Sequence, residues 1–524
     1  MHIRRRRFFR FAAAASAALC AVAALDGFAA QPLTAEEQAG RKIYVDAVTP
    51  SGEPLRGLVG SGQMPLSGAA LACGNCHGAD GKGRPEGSVL PLDTTWEYLT
   101  TPYGHAHAAR RHGAFTAGNF GVAVNEGLDP AGNRLDWTMP RYALSRSERD
   151  ALIAYLKRLS TQSDPGVAER WLRIGTILPT GGPLAPAAEA MRAAVAAHLE
   201  TINRAGGIHQ RRLELVVAND LESAQKRFST EPVFALVSPF VYDEEAAFGA
   251  LIDQAKLPAV GPFTANPQRI GRLSGLAFYV LPGPVEQAAA LVDFAARTAK
   301  ASGWRAAIVG SGASPYREAA EAASRRCEKL GCGEIARIGA YAGPLNAAAA
   351  VGRLKAERRA QIFFFGSEEE FAGLLDAAGA ALDAAWRPRV YAPGSLARAA
   401  LAARERFDGE VFLVYPASPA EQAGAQALGN LRREFGLTAQ HGAAQRAALA
   451  AATVLTEGLR RAGRDLSRDR FVRALESLNN FDPGGFAPAV SYGPDRRTGA
   501  LGGYIVALER ERGLVPVSGW IRLD

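Results

Sequence analysis

Cys73-Gly74-Asn75-Cys76-His77 places two thiols and one imidazole within about a single helical turn. The C-x-x-C-H pattern is the attachment signal of a c-type haem, in which both sulfurs add to the porphyrin vinyl groups and the imidazole reaches the iron. With 5 Cys and 8 His in 524 residues, chance would produce the pattern in roughly one chain in a thousand of this composition, so it is read as a signal. Two other readings of the dithiol are weaker. A zinc site needs two more Cys or His ligands at a matching spacing. A thioredoxin-like dithiol needs a βαβ setting, whereas Gly/Pro-rich segments surround this one.

The flanks of the motif carry further signals. Thr34-Ala35-Glu36-Glu37 is a capping box that opens a helix carrying Gly40, Ile43 and Tyr44. Gly78, Gly81 and Gly83 follow the motif and let the backbone turn tightly against a flat cofactor. Asp136-Trp137-Thr138-Met139-Pro140 comes next, and then a second capping box, Ser145-Arg146-Ser147-Glu148. The helix it starts has Leu152, Tyr155, Leu156 and Leu159 on one face.

Together these features resemble a bacterial class I cytochrome c domain. The resemblance implies an all-α domain over residues 31–162 and one covalent haem c, bound through Cys73 and Cys76. It also implies His77 as the proximal iron ligand and Met139 as the distal one. Such a Met/His pair raises the haem potential, which suits accepting electrons. Met64, ahead of the motif, reads as core or loop. His105, His107 and His112 compete for the sixth position. They read either as a solvated loop or as a bis-His haem or second metal site.

The first 30 residues have another character. Arg4 to Arg7 and Arg10 form a basic n-region, and Phe11–Leu25 is an uncharged Ala-rich run too short to span a bilayer comfortably. A signal peptide over residues 1–30, cleaved near Ala29 or Ala30, is expected, with export to the periplasm; an uncleaved anchor is the alternative. Five Arg and Asp26 lie in this segment, so the net charge of +8 falls to +4 without it. That charge is mild and spread out, which argues against a nucleic-acid partner. In an exported chain disulfides persist.

A polar stretch, 163–170, reads as a linker, and from Trp171 strands alternate with Ala-rich helices to the C-terminus. This alternation argues for parallel sheets covered on both faces, and the length argues for two lobes. Gly181-x-Pro183-Leu184, Ile202-Asn203-Arg204-Ala205-Gly206-Gly207-Ile208, Leu213-Glu214-Leu215-Val216-Val217, Phe278-Tyr279-Val280 and Phe407-Asp408-Gly409 resemble a type I periplasmic solute-binding protein of the Leu/Ile/Val-binding group. The resemblance implies two α/β lobes over 171–524. One lobe would comprise about 171–283 plus 413–482, and the other about 284–412 plus part of the C-terminus. A ligand would lie in the cleft between them, closed by hinge motion.

Two turns depart from that family. Ser238-Pro239-Phe240-Val241-Tyr242 and Gly261-Pro262-Phe263-Thr264 put aromatics where small donors to an α-carboxylate are expected. Phe240, Tyr242, Phe263, Thr264 and Tyr316 are the cleft candidates, against the alternative that most of them only pack the lobe edges. An aromatic-rich cleft favours a flat or apolar ligand over a small amino acid. Cys327 and Cys332 would occupy the C3 and C″ positions of a Schellman cap with Gly331 at C′. A disulfide there would stabilise by roughly 2 kcal/mol, and two reduced thiols are the alternative.

The expected function is therefore that of a periplasmic monohaem electron carrier joined to a recognition module, serving a periplasmic dehydrogenase or oxidase as redox partner. The alternative is a receptor for an ABC permease, for an amino-acid-like or aromatic solute, with an accessory haem. A Met/His haem leaves no open coordination position, and no Walker loop, zinc-protease motif or nucleophile elbow occurs, so enzyme activity is not expected.

Overall fold

In the computed structural model the described residues are 33–523, apart from 84–90, 108–109, 162, 242–243, 265–274, 299–303, 311, 313–315, 333–334, 340–344 and 419–423. The expected signal peptide and Tyr242 lie outside the described residues. The chain divides into two compact units between Gln162 and Ser163. No helix among the described residues is long and apolar enough to cross a membrane.

The first unit is built on two crossing helices, α1 (Ala35–Arg41) and α5 (Arg146–Thr161). Both begin in the capping boxes read from the sequence. Glu37 N donates to Thr34 Oγ1 at 3.2 Å, and Thr34 N donates back to Glu37 Oε2 at 2.7 Å. Ser145 and Glu148 repeat the exchange at 3.3 and 2.7 Å. The crossing requires Gly40, because a Cβ there would stand 2.0 Å from the Ala151 carbonyl oxygen. A wide turn over Lys42–Asp46 buries Ile43 and Tyr44 beneath Leu152, Tyr155 and Leu156.

Between these helices lie β1 (Arg56–Val59), β2 (Met64–Ser67), α2 (Cys73–His77), α3 (Trp96–Leu99), β3 (His105–His107), β4 (Arg110–His112), α4 (Ala117–Glu126) and β5 (Arg141–Tyr142). The unit is thus not purely helical. It adds a small antiparallel sheet in the order β2-β1-β5 and a β3–β4 hairpin. Met64, read as core or loop, stands on β2 with 66% of its surface exposed, which removes it from the core.

The second unit opens with the segment after Gln162 bonded to its own fold: Arg173 N donates to Gly166 O at 2.9 Å and Arg468 N to Asp164 Oδ2 at 2.5 Å. Its first lobe alternates β6 (Trp171–Ile177), α6 (Ala185–Arg204), β7 (Arg212–Ala218), α7 (Leu221–Thr230), β8 (Ala235–Val237), α8 (Glu245–Gln254), β9 (Ala259–Val260) and β10 (Ala277–Phe278). The strands are all parallel, in the order β10-β9-β8-β6-β7.

The chain then crosses to the second lobe. Its elements are α9 (Pro284–Thr298), β11 (Ala306–Gly310), α10 (Tyr316–Leu330), β12 (Ile335–Ile338), α11 (Ala347–Ala356), β13 (Gln361–Phe365), α12 (Glu368–Ala381), β14 (Arg389–Pro393), α13 (Ala397–Ala402) and β15 (Val411–Tyr415). The Phe363-Phe364-Phe365 run lies fully inside β13, as a strand covered on both faces must. Helices α14 (Ala425–Phe435), α15 (Gly442–Ala462) and α16 (Arg468–Glu476) return to the first lobe, where Leu449, Leu455 and Phe471 share a core with Met191 and Phe234. Finally β16 (Gly502–Glu509), β17 (Gly513–Pro516) and β18 (Ile521–Arg522) complete the second sheet, ordered β12-β11-β13-β14-β15-β16-β17 with β18 beside β16.

The cap at the end of α10 forms as read. Gly331 has φ +66°, Cys332 N donates to Cys327 O at 3.0 Å, and Gly331 N donates to Glu328 O at 3.1 Å. The disulfide does not accompany it. Cys327 and Cys332 are both free thiols, buried, with burial as the main cause that pushes each pKa up. The cap brings the two residues together through the backbone alone and does not require a covalent link.

Candidate haem and ligand sites

The C-x-x-C-H residues form the short helix α2, which ends at Gly78 with φ 77°. Tyr44 OH donates to the Gly78 carbonyl at 2.8 Å and ties this end of α2 to the core. Cys73 is partly buried and Cys76 exposed, and neither is in a disulfide. Burial pushes the Cys73 thiol up to about 11. Its sulfur lies 3.9 Å from Tyr142 OH, which itself donates to Leu71 O at 2.9 Å.

His77 Nδ1 donates to the Leu92 carbonyl at 2.9 Å. That bond fixes the ring and turns Nε2, not Nδ1, toward any metal the ring could take, the usual support for a ligating imidazole. Burial lowers the His77 pKa, against the pull of the Leu92 carbonyl, and so favours the neutral, ligand-competent form.

Met139 packs, partly buried, on the same apolar core as Cys73. Its loop is built from three directions. Thr138 N and Oγ1 donate to Asp136 Oδ1 at 2.9 and 2.7 Å, and Met139 N donates to Asp136 O at 3.2 Å. The Thr138 bonds, its backbone N–H first, hold the Asp136 carboxyl below its usual range. The guanidinium of Arg141 then donates to three carbonyls of the loop: Met139 O at 2.5 Å, Leu135 O at 2.9 Å and Asp136 O at 3.1 Å. The residues present fit a c-type haem: two thiols one turn apart and not joined in a disulfide, an imidazole oriented through Nδ1, and a thioether held on the same core as Cys73.

His105, His107 and His112 are on the β3–β4 hairpin, not on an open loop. The His105 and His112 rings lie 5.2 Å apart, between Tyr98 and Phe115. Among the described residues no three His, Cys, Asp or Glu side chains converge as a metal site.

In the first lobe the loops after β8 and β9 run side by side. Val241 N donates to Phe263 O and Phe263 N to Pro239 O, both at 2.8 Å, and the Phe240 and Phe263 rings sit 5.3 Å apart. Gly261 permits this, since its φ is +64° and a Cβ would lie 2.3 Å from that of Ala451. Thr264 Oγ1 donates to Glu245 Oε1 at 2.8 Å. Phe240, Phe263 and Thr264 are thus brought together. Tyr316 belongs to the second lobe, where it opens α10 and packs on that lobe's apolar core. Sequence reading missed Glu245, Ser238 and Tyr279. The acidic run Asp243-Glu244-Glu245 at a helix start reads as ordinary charge–dipole placement, yet Glu245 is buried.

Comparisons with known proteins agree on both units. Residues 172–511 match the periplasmic binding protein family model and residues 67–160 the cytochrome c model. A structure described as a branched-chain amino acid ABC transporter protein from Rhodospirillum rubrum shares 18% identity, with 66% of this chain and 100% of that chain covered and a TM-score of 0.55. A fatty acid ABC transporter substrate-binding protein from Thermomonospora curvata shares 16%, covering 69% and 95%, with a TM-score of 0.50. A leucine-binding protein from Thermotoga maritima shares 15%, covering 67% and 99%, also at 0.50. At these identities the likeness is one of fold. No curated protein matches the chain.

Proposed function

The chain belongs to the periplasmic binding protein family and carries a cytochrome c domain ahead of that fold, and from this premise we propose that it is an exported monohaem electron carrier governed by a ligand-recognition module. In this reading Cys73 and Cys76 would hold one haem c covalently, and His77 and Met139 would supply its iron ligands. A bound haem supplies one-electron oxidation and reduction. The chain's own part is to orient the imidazole through Leu92, to seat the thioether through Asp136 and Arg141, and to shield both behind the Tyr44–Leu156 core. The first 30 residues direct export to the periplasm. The two lobes take a flat or apolar ligand at Phe240, Phe263 and Thr264, with Tyr242 and Tyr316 as further cleft residues. The redox partner is a periplasmic dehydrogenase or oxidase.

The observation that carries this reading is the His77 Nδ1–Leu92 bond inside a C-x-x-C-H turn, which prepares Nε2 for iron in a chain that also has a complete binding fold. Two measurements test it. Met139→Ala should abolish the weak red-edge absorption band of the oxidised protein. Addition of ligand should change the rate of haem reduction by a partner, since coupled sites must respond to each other. An unchanged band removes Met139 from the iron. An unchanged rate, with a permease binding the ligand-closed lobes, supports the second reading, a transport receptor. The fold likeness to ABC transporter binding proteins favours that second reading.

A further inference from the structure

The haem reading above, on which this inference rests, gives the site two ends: the Cys73–His77 turn and the Met139 loop. Helix α2 brings no side-chain cap of its own. Its two ends are held from outside by buried tyrosines. Tyr44 OH donates to Gly78 O at 2.8 Å just after the helix, and Tyr142 OH donates to Leu71 O at 2.9 Å just before it. Tyr142 OH also lies 3.9 Å from Cys73 Sγ.

Tyr142 is one half of β5, a strand of two residues, and Arg141 is the other half. Successive side chains of a strand point to opposite faces. Arg141 turns to the Met139 loop, where it donates to the carbonyls of Leu135, Asp136 and Met139. Tyr142 turns inward to the start of α2 and is 6% exposed. The strand lies at the edge of its sheet and pairs with β1 through Gly57–Tyr142 and Leu58–Arg141. A Cβ on Gly57 would stand 3.0 Å from the Arg141 carbonyl oxygen and 3.4 Å from Leu71 Cδ1, so β1, β5 and Leu71 pack without slack. Neighbouring Cα atoms are held about 3.8 Å apart by the peptide unit. A two-residue strand with an anchor on each face therefore does not shift at one anchor without moving the other.

We infer that Tyr142 is a positioning residue of the haem site, and that β5 keeps the cysteine end and the methionine end of that site in register. What Tyr142 fixes at Leu71, Arg141 delivers at Met139.

Coupling of this kind is reciprocal, so the test works from both ends, on the full haem-loaded chain. In Tyr142→Phe the ring still fills the core and only the hydroxyl is lost. The open-to-closed ratio of the Met139 loop should rise about tenfold. In a thermal ramp on the oxidised protein the red-edge band should then vanish well before the helices melt, although the bonds of that hydroxyl lie on the α2 side. Thr34→Ala removes a cap of similar worth on α1 and should lower the band and the helices together. From the other end, Arg141→Lys should speed amide exchange over residues 73–78 several-fold, read by mass spectrometry.

If Tyr142→Phe loses the band and the helices together, as Thr34→Ala does, the hydroxyl contributes only to general stability and the inference is overturned. Unchanged exchange over residues 73–78 in Arg141→Lys overturns it as well, and decides the matter should Tyr142→Phe fail to load haem. A wild-type chain without the red-edge band overturns the Met139 assignment itself, and this inference with it.

Discussion

Arg141 is the residue whose removal should separate the thioether from the rest of the fold. Its guanidinium makes three bonds to the carbonyls of Leu135, Asp136 and Met139. It also packs against Gly127, where a Cβ would lie 1.8 Å from the Arg141 Nε. Bonds from a charged donor contribute about 1.5–3 kcal/mol each when buried, and less here because the group is partly exposed. Arg141→Ala should therefore weaken closure of the Met139 loop by about 3 kcal/mol, roughly a hundredfold in the closed-to-open ratio. The capped helices α1 and α5 do not depend on these bonds.

The assay is a thermal ramp on the oxidised protein, with the red-edge band reporting Met139 and far-ultraviolet circular dichroism reporting the helices. In the wild type the band should persist until close to helix unfolding. In Arg141→Ala it should disappear far earlier. Gly127→Ala should reproduce the effect by displacing the guanidinium, and Arg141→Lys should fall between. If the band and the helices still melt together in Arg141→Ala, at the wild-type temperature, then the three carbonyl bonds do not hold the loop and the argument fails.

Three further outcomes are expected. Gly40→Ala forces a Cβ to within 2.0 Å of the Ala151 carbonyl. It should cost about 3 kcal/mol and lower the melting temperature of the first unit by on the order of 10 °C; an unchanged melting curve would mean the α1–α5 crossing is looser than described. Burial lowers the His198 pKa from 6.5 to about 4, with Arg460 adding to it. Between those values the unfolded chain binds a proton that the fold refuses, so stability falls as pH falls through the window. Urea unfolding of the second unit should lose about 2 kcal/mol more between pH 6.5 and 5 in the wild type than in His198→Gln, and equal slopes would show that His198 is not the group. Cys327 and Cys332 are 0% and 9% exposed free thiols. Neither should be alkylated in the folded protein and both should be after unfolding; intact mass showing no label after unfolding would establish the bridge instead.

Much of this was legible in the chain. Local chemistry that closes on itself within four residues was read correctly, as at Thr34–Glu37 and Ser145–Glu148. Likewise the Gly331 cap needed only the spacing of its residues. Features that depend on a distant partner were not legible. The β1–β2 hairpin hides in a Gly-rich stretch because its pairing is settled by β5, over seventy residues later. The burial of Glu245 rests on a contact with Thr264 from another loop, and no local pattern marks it. Nothing in the local sequence marks Arg141, whose role comes from the three carbonyls of one loop around it. The redox state of Cys327 and Cys332 is a covalent fact that backbone spacing does not determine.

Tyr279 is held through its backbone. Its backbone N donates to Arg497 O at 2.8 Å and its carbonyl accepts from Gly499 N at 2.8 Å and Tyr492 OH at 3.0 Å, so it also clasps the returning chain segment that leads to β16. Tyr279 is therefore part of the strap along which the chain passes from one lobe to the other. Two crossings tied side by side bend as one hinge, so Tyr492→Phe, which removes the Tyr492 hydroxyl's bond to the Tyr279 carbonyl, should change how far the lobes travel.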